Sequence, residues 1–236
     1  PHDRQKKFAL ETLEIYAPIA YRLGMGDLKG QLEDMSFKFL HPKEFEWLQN
    51  QVAIKYEYYS KYVKKLTPIL ERMLKEENVI PLEIHARTKH LWTLYKKLQR
   101  HQMNFDEIHD LVAARIILNT IEDCYLALGL IHQNWKPVPG LIKDYIAMPK
   151  PNGYQSLHTS VFGPEGRITE IQIRTPEMHA RAENGIAAHW AYKEGYYKKN
   201  GRQRVDAKEL AWVDQLREWQ KAVRGSDEFF ESLRID

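Results

Sequence analysis

Basic, aromatic and imidazole side chains are concentrated in one short segment of the chain, LIKDYIAMPKPNGYQSLHT. Its polar members surround a Pro-Lys-Pro-Asn-Gly turn, and they are Lys143, Lys150, Asn152, Tyr154, Gln155, Ser156 and His158. If a strand begins at Tyr154, every second side chain from Tyr154 to Ser160 shares one face. An aromatic ring beside hydrogen-bonding groups suits a nucleobase, and lysines suit phosphates. The segment therefore predicts a nucleotide site, although a half-exposed Tyr and His are also ordinary on a strand.

Two carboxylates accompany segments that are typical of strands. Asp110 comes directly before the predicted strand Leu111–Leu118. The segment ITEIQIR alternates, so Glu170, Gln172 and Arg174 face away from Ile171 and Ile173. If the two strands are neighbours, Asp110 and Glu170 can together hold Mg²⁺ against substrate phosphates.

The segment HARTKHLWTLYKKLQR combines an apolar helical stripe with a basic face. The basic face consists of Lys89, Thr93, Lys96, Lys97 and Arg100, and Arg87 comes just before the predicted helix. Such a face is often merely solvated, but a helix N-terminus also attracts anions. Arg115 lies inside a predicted strand, where an arginine is costly unless it is paired or lines a site.

Helices and short β-branched segments must position these groups. The pattern is helical from Gln5 to about Lys75, with a long helix from Pro42 to about Glu77. After Asn78 the sequence predicts the helices His90–Met103, Ile121–Trp135 and Pro176–Lys193 and the strands Leu111–Leu118, Gln155–Phe162 and Arg167–Arg174. This alternation predicts an α+β fold in which helices flank a mixed sheet. A basic loop at Gly195–Arg204 and an amphipathic helix at Ala207–Val223 complete the prediction.

Composition excludes several classes of protein. Lys and Arg number 35 against 32 Asp and Glu, a net charge of +3, which is too small for a general polyanion binder. Cys124 is the single cysteine and cannot form an internal disulfide, so we expect a cytoplasmic protein. No apolar segment approaches the ~18 residues of a membrane span, so we expect no membrane partner. The first residue is Pro1, which suggests a fragment of a longer protein.

Five ordered segments resemble the synthetase region of the RelA/SpoT homologues, the long bacterial stringent-response enzymes that make (p)ppGpp. They are HARTKHLWTLYKK, EIHDLVAARII, IKDYIAMPKPNGYQSLHT, EIQIRT and AENGIAAHWAYKEG. ETLEIYAPIAYRLGM, near the start, resembles the last helices of the family's hydrolase domain. The resemblance implies that residues 1–77 end the hydrolase domain, that residues 78–195 form the synthetase domain, and that residues 196–236 lead to an absent regulatory half.

The resemblance implies a nucleotidyltransferase-like fold and the transfer of pyrophosphate from ATP to the 3′-hydroxyl of GDP or GTP, with release of AMP. It implies that Asp110 and Glu170 are the catalytic residues and bind Mg²⁺. The ATP residues would be Arg87, Lys89, Thr93, Lys97 and Arg115, with the arginine planes against adenine. The GDP or GTP residues would be Lys143, Lys150, Asn152, Tyr154, Gln155 and His158, with Tyr154 stacked on guanine.

Two departures from the family pattern limit the expectations. Leu141 stands where members with both activities carry arginine in an Arg-x-Lys-Asp motif, while Lys143 and Asp144 are kept. The preference between GDP and GTP is therefore open. The His-Asp motifs of the hydrolase are absent, so we expect no (p)ppGpp hydrolysis by this chain. Ribosome and tRNA contacts would involve only regions absent from it.

Two alternatives remain open on the sequence. A nucleotidyltransferase with another acceptor would incorporate AMP or CMP and release pyrophosphate. A non-catalytic RNA- or ribosome-binding module would bind without turnover, and its affinity would fall steeply with salt.

Overall fold

The structure, a computed structural model, describes residues 2–108 and 112–185. Up to residue 76 it is almost entirely helical. The helices are α1 (His2–Glu11), which passes through a π-helical turn (Thr12–Tyr16) into α2 (Ala17–Arg22), then α3 (Gly26–Leu40) and α4 (Pro42–Glu76). Pro42 opens α4 at a position where a proline's missing N–H costs nothing. The structure confirms the helical segment predicted up to about Lys75 and the long helix predicted from Pro42, which is α4.

The remaining elements of the described residues form a five-stranded mixed sheet, three α-helices and two short 3-10 turns, Phe105–Glu107 and Pro164–Gly166. The strands are β1 (Glu83–Thr88), β2 (Val112–Ile117), β3 (Pro137–Asp144), β4 (Leu157–Phe162) and β5 (Ile168–Arg174), in the spatial order β1-β2-β5-β4-β3. β2 and β5 are parallel, and the other pairs are antiparallel. The helices are α5 (Leu91–Arg100), α6 (Ile121–Asn134) and α7 (Pro176–Asn184). The predicted fold class is therefore confirmed.

The two faces of the sheet differ in chemistry because successive side chains of a strand point to opposite sides. One face is apolar and packs against α4 and α6 in a core that includes Ile116, Leu157, Ile171 and Ile173. The opposite face carries Arg115, His158, Gln172 and Arg174, which the strand register places side by side. A polar layer thus crosses the middle of the sheet.

A second core fixes α3 and α5 beside the polar face. It joins Phe37 of α3, Leu48 and Val52 of α4, and Leu94 and Leu98 of α5. Helix α3 is therefore packed against α5, and α4 contacts both α5 and the strands β1 and β2. None of the helices in the described ranges is long and apolar enough to cross a bilayer.

Three expectations from the sequence are corrected. β1 and β3 were not predicted, and both lie at the edges of the sheet. Charged residues interrupt the alternation of polar and apolar residues in β1, and in β3 the pairing register shifts between Pro137 and Ile142. Arg87 lies inside strand β1, not in a loop before the predicted helix His90–Met103. β4 begins at Leu157, so Tyr154 precedes the strand. The predicted Gly195–Arg204 loop and Ala207–Val223 helix lie outside the described residues.

Candidate active site

A cleft of about 850 Å³ lies between the polar face of the sheet and helices α3 and α4. This volume is typical of pockets that bind small molecules. Side chains from the predicted site that line it are Arg87, Lys89, Thr93, Arg115, Lys150, Asn152, Tyr154 and His158. Residues predicted separately for two nucleotides are therefore brought together in one cleft.

Two buried arginines form the floor of the cleft. Arg115 is 5% exposed and Arg174 is 1% exposed. Nη1 of Arg115 donates to Oε1 of Glu183 at 2.9 Å, and Nη2 of Arg174 lies 3.8 Å from the same oxygen. Within the described residues, Nε of Arg115 and both Nε and Nη1 of Arg174 are buried without a hydrogen-bond partner. One carboxylate thus faces two guanidinium groups, and unpaired buried donors of this kind suit an anionic ligand.

Burial weakens the cationic form of these groups without removing it. Desolvation lowers the pKa of Arg174 to about 10, partly offset by Tyr154. Desolvation also lowers the pKa of Arg115, against the opposing effect of Glu183. Arg174 therefore stays charged at neutral pH, and the floor presents positive charge at low dielectric, where it acts most strongly.

The segment before β4 places Tyr154 at the cleft. Gly153 has a φ of +76°, a conformation that favours glycine, and the backbone N–H of Tyr154 donates to Oδ1 of Asn152 at 3.2 Å. The Tyr154 ring meets His158 edge-on with centroids 5.8 Å apart, and Nζ of Lys150 lies 5.5 Å from the Tyr154 ring centroid. Ser156, which was expected on the same face, is fully buried and donates to the carbonyl of Ile173.

Glu170 is held beside this segment by two side chains. Nε2 of Gln172 donates to Oε1 of Glu170 at 2.8 Å, and Nδ1 of His158 lies 3.5 Å from the same oxygen. Desolvation, followed by the charges of Arg174, Arg87 and the nearby lysines, lowers the pKa of His158 to about 3. His158 is therefore a neutral imidazole at physiological pH.

The N-terminus of α5, which the sequence left open as either an anion site or part of a solvated face, is capped by a carboxylate of α3. Oδ1 of Asp34 accepts the N–H of Trp92 at 2.8 Å, and Oδ2 lies 2.9 Å from Nδ1 of His90. Thr93 donates to Glu33 at 3.4 Å. In this arrangement Asp34 occupies an N–H group that a nucleotide phosphate would otherwise use.

Some predicted site residues lie away from the cleft lining. Lys143 is exposed on β3 opposite His158, and Lys97 lies further along α5. Gln155 donates to the carbonyl of Ile146 at 3.2 Å. Glu170 lies beneath the cleft, in contact with His158. Asp110 lies outside the described residues.

Three further cleft-lining residues that belong to or lie close to the pair of buried arginines had no role predicted from the sequence. They are Arg174, Glu183 and His85. The alternation of ITEIQIR already placed Arg174 on the polar face, so that residue was within reach of the sequence. His85 and Glu183 lie within the family-like segments HARTKHLWTLYKK and AENGIAAHWAYKEG, but no periodicity placed them near Arg115, because α7 and the edge strand β1 approach Arg115 only in the folded chain.

The described residues contain no group of three or more His, Cys, Asp or Glu side chains that could hold a metal ion by themselves. Mg²⁺ needs less, because one or two carboxylates together with substrate phosphates are its usual protein ligands. Glu170 fits that requirement as one carboxylate next to a basic cleft large enough for a small-molecule substrate. The residues present therefore fit a divalent cation shared with substrate.

Comparison with known proteins places this geometry in a family. Residues 86–197 match the family described as the region found in RelA / SpoT proteins. The chain is 45% identical over 234 residues to a GTP pyrophosphokinase of Myxococcus xanthus, covering 99% of the chain and 30% of that protein. It is 44% identical over 241 residues to the bifunctional (p)ppGpp synthase/hydrolase RelA of Mycobacterium tuberculosis, covering the whole chain and 32% of that protein. The chain thus spans about a third of the length of these relatives.

Solved structures include similar chains. The small alarmone synthetase 2 of Bacillus subtilis is 27% identical, with a TM-score of 0.44, and the match covers 74% of this chain and 98% of that one. A GTP pyrophosphokinase family protein of Streptococcus pneumoniae is 21% identical, also with a TM-score of 0.44, over 80% of this chain and 96% of that one.

The family match begins at Ala86, inside β1, and includes the strands and the turn that form the cleft floor and place Tyr154. The sequence identity extends beyond it over nearly the entire chain. On these grounds the chain belongs to the RelA/SpoT family.

Proposed function

We propose that this chain is a (p)ppGpp synthetase that transfers the pyrophosphoryl group of ATP to the 3′-hydroxyl of GDP or GTP, as a GTP diphosphokinase of the stringent response. The observation that carries the proposal is the cleft floor, where the buried guanidinium groups of Arg115 and Arg174 face one carboxylate, Glu183. A nucleotide phosphate supplies the missing negative charge. The names of the relatives, GTP pyrophosphokinase and (p)ppGpp synthase/hydrolase, agree with this chemistry.

The reaction exchanges one phosphorus–oxygen bond for another. The acceptor's 3′-oxygen attacks the β-phosphorus of ATP, the bond from that phosphorus to the α–β bridging oxygen breaks, and AMP leaves. Transfer of this type needs positioning and charge neutralisation more than covalent participation by the protein. Arg115 and Arg174 are placed to bind phosphate oxygens in a water-poor site, where fixed positive charge stabilises the transition state.

The 3′-hydroxyl is a weak nucleophile at neutral pH, so a proton acceptor must lie close to it. Glu170 is our candidate, since Gln172 and His158 both fix its Oε1. Together with Asp110, two residues before β2, Glu170 would also hold Mg²⁺. When bound, that ion would supply further charge neutralisation at the phosphates.

We assign the residues on the two sides of the cleft to different nucleotides. Arg87, Lys89 and Thr93 line the side near α5, and we assign them to ATP together with Arg115 and Lys97. Tyr154, Lys150, Asn152 and His158 line the side near β4, and we assign them to the acceptor with Lys143 and Gln155. Tyr154 supplies a ring for stacking on guanine.

The remaining parts of the proposal concern the whole protein. Residues 1–77 would connect a hydrolase domain to the synthetase domain at 78–195, and residues 196–236 would lead to a regulatory half. We place the protein in the cytoplasm, and we assign ribosome and tRNA contacts to regions beyond this chain.

Product analysis tests the function directly. The chain is incubated with ATP, GDP and Mg²⁺, and the nucleotides are separated by ion-exchange chromatography. We expect AMP and guanosine tetraphosphate in equal amounts. Release of pyrophosphate with incorporation of AMP or CMP would instead identify a nucleotidyltransferase with another acceptor. RNA binding that weakens steeply with salt, without turnover, would identify a binding module.

A further inference from the structure

A continuous line of side-chain contacts runs from the cleft to Glu170. The hydroxyl of Tyr154 lies 2.7 Å from Nε2 of His158. On the other side of the same ring, Nδ1 lies 3.5 Å from Oε1 of Glu170. Tyr154, which we assign to the acceptor base, is thus linked through one imidazole to the proposed proton acceptor.

The chemistry of the three groups fixes the direction of the contacts. A carboxylate only accepts hydrogen bonds, so we assign the ring proton of His158 to Nδ1, which faces Oε1 of Glu170 at 3.5 Å. Nε2 is then an acceptor, and the Tyr154 hydroxyl donates to it. Without that hydroxyl, Nε2 loses its partner and both the tautomer and the tilt of the ring are less well defined.

Glu170 needs such support because its other neighbour fixes only part of it. Nε2 of Gln172 donates to Oε1, the same oxygen that faces His158. The two contacts approach Oε1 from neighbouring strands, since His158 pairs with Gln172 across β4 and β5. Neither contact uses Oε2, which is the oxygen that this arrangement leaves for the reaction.

We propose that the hydroxyl of Tyr154, through His158, is a positioning group for Glu170, a role separable from the stacking already assigned to the Tyr154 ring. The inference rests on the proposed function, and it adds a residue role to it. In this proposal Tyr154 stacks on the guanine base and, through His158, orients the Glu170 carboxylate. The sugar attached to that base, which carries the 3′-hydroxyl, is therefore held at a defined position relative to Glu170. The two roles predict different kinetic signatures.

Two substitutions at one position separate the roles. Tyr154→Phe keeps the ring and removes the hydroxyl, so kcat should fall by about 10- to 100-fold, the usual effect of removing a partner of this kind, while the KM for GDP stays within about twofold. Tyr154→Ala removes both and should also weaken GDP binding, measured by calorimetry without ATP or divalent cation. Tyr145→Phe is the matched control: the Tyr145 ring packs edge-on against His158 at 5.4 Å and Tyr154 at 6.0 Å, phenylalanine keeps that ring, and neither quantity should change.

A double variant tests whether the hydroxyl acts through His158. His158→Phe should lower kcat at least as much as Tyr154→Phe, and combining the two should cost no more than His158→Phe alone. Melting temperatures check that all variants fold.

Several outcomes would overturn the proposal. A Tyr154→Phe variant with the kcat of the unaltered protein removes the role of the hydroxyl. Multiplying losses in the double variant show that Tyr154 and His158 act independently. If the unaltered protein binds GDP but forms no product, the proposed function is refuted, and the positioning role is refuted with it. If the unaltered protein is active and only the Tyr154→Phe result disagrees, the positioning role alone is refuted.

Discussion

Asp34 of α3 caps α5 from 58 residues away, accepting the backbone N–H of Trp92 at 2.8 Å and contacting Nδ1 of His90 at 2.9 Å. α5 begins without a side-chain cap from its own N-cap residue, so a distant helix satisfies its N-terminus. The contact joins the helical segment to the wall of the cleft, and its strength depends on the charge of His90.

The hydrogen bond that His90 donates to Asp34 raises the pKa of His90 above 6.5, with smaller contributions from the charges of Asp34 and Asp27 and opposition from burial and Arg87. A raised folded-state pKa stabilises the fold fully below the unfolded value, and this stability is lost as pH rises through the folded value. We therefore expect His90→Ala to lower the melting temperature most below pH 6.5, with a smaller effect at alkaline pH.

Asp34→Asn serves as the control for the His90 experiment. It keeps an oxygen for the N–H of Trp92 but removes the charge that raises the pKa of His90. In the Asp34→Asn background, the effect of His90→Ala on the melting temperature should therefore lose most of its pH dependence, with only the smaller contribution of Asp27 left. In the unaltered background, an effect of His90→Ala that grows with rising pH would contradict the assignment.

The close approach of α3 and α5 predicts opposite effects for one substitution at two sites. A Cβ on Gly30 would collide with the His90 ring, which Asp34 holds in place. We expect Gly30→Ala to lower the free energy of unfolding by about 1–3 kcal/mol. Gly129→Ala, in α6 where a Cβ meets nothing within 4 Å, should raise it by about 0.5–1 kcal/mol. Urea unfolding measures both, and a neutral Gly30→Ala would show that the helices separate easily.

The sequence predicted local structure and the polar face of β5 because both follow from short-range periodicity. The alternation in ITEIQIR placed Glu170, Gln172 and Arg174 together, as the structure shows. It could not predict that Glu183 pairs with Arg115, or that Asp34 caps α5, because these contacts join residues 68 and 58 positions apart. Such contacts depend on how helices dock, which periodicity does not specify.

Arg174 offers a test of whether buried charge serves stability or function. Its Nε and Nη1 have no partner among the described residues, so an apolar side chain of similar length should be tolerated by the fold. We expect Arg174→Met to leave the melting temperature unchanged or higher while kcat/KM falls by about 100-fold or more. Arg100→Met, at an exposed position of α5, should change neither. A fall in both stability and activity would identify Arg174 as a structural ion-pair residue instead.

The last prediction concerns the proposed proton acceptor. Glu170→Gln removes the carboxylate's charge and basicity but keeps a carbonyl oxygen that can still accept from Gln172, so the fold should persist. We expect kcat to fall by about 100- to 10,000-fold, the range usual for a general base, while calorimetry shows ATP and GDP still bound. Glu165→Gln is the control: it removes an equal charge from an exposed turn residue that faces Arg167, and turnover should be unaffected. The Tyr154 hydroxyl is proposed to act only through His158 on Glu170. Tyr154→Phe should therefore cause no further loss of kcat once Glu170 is replaced. Near-normal kcat for Glu170→Gln at saturating Mg²⁺ would remove Glu170 from the reaction and leave the contacts around it purely structural.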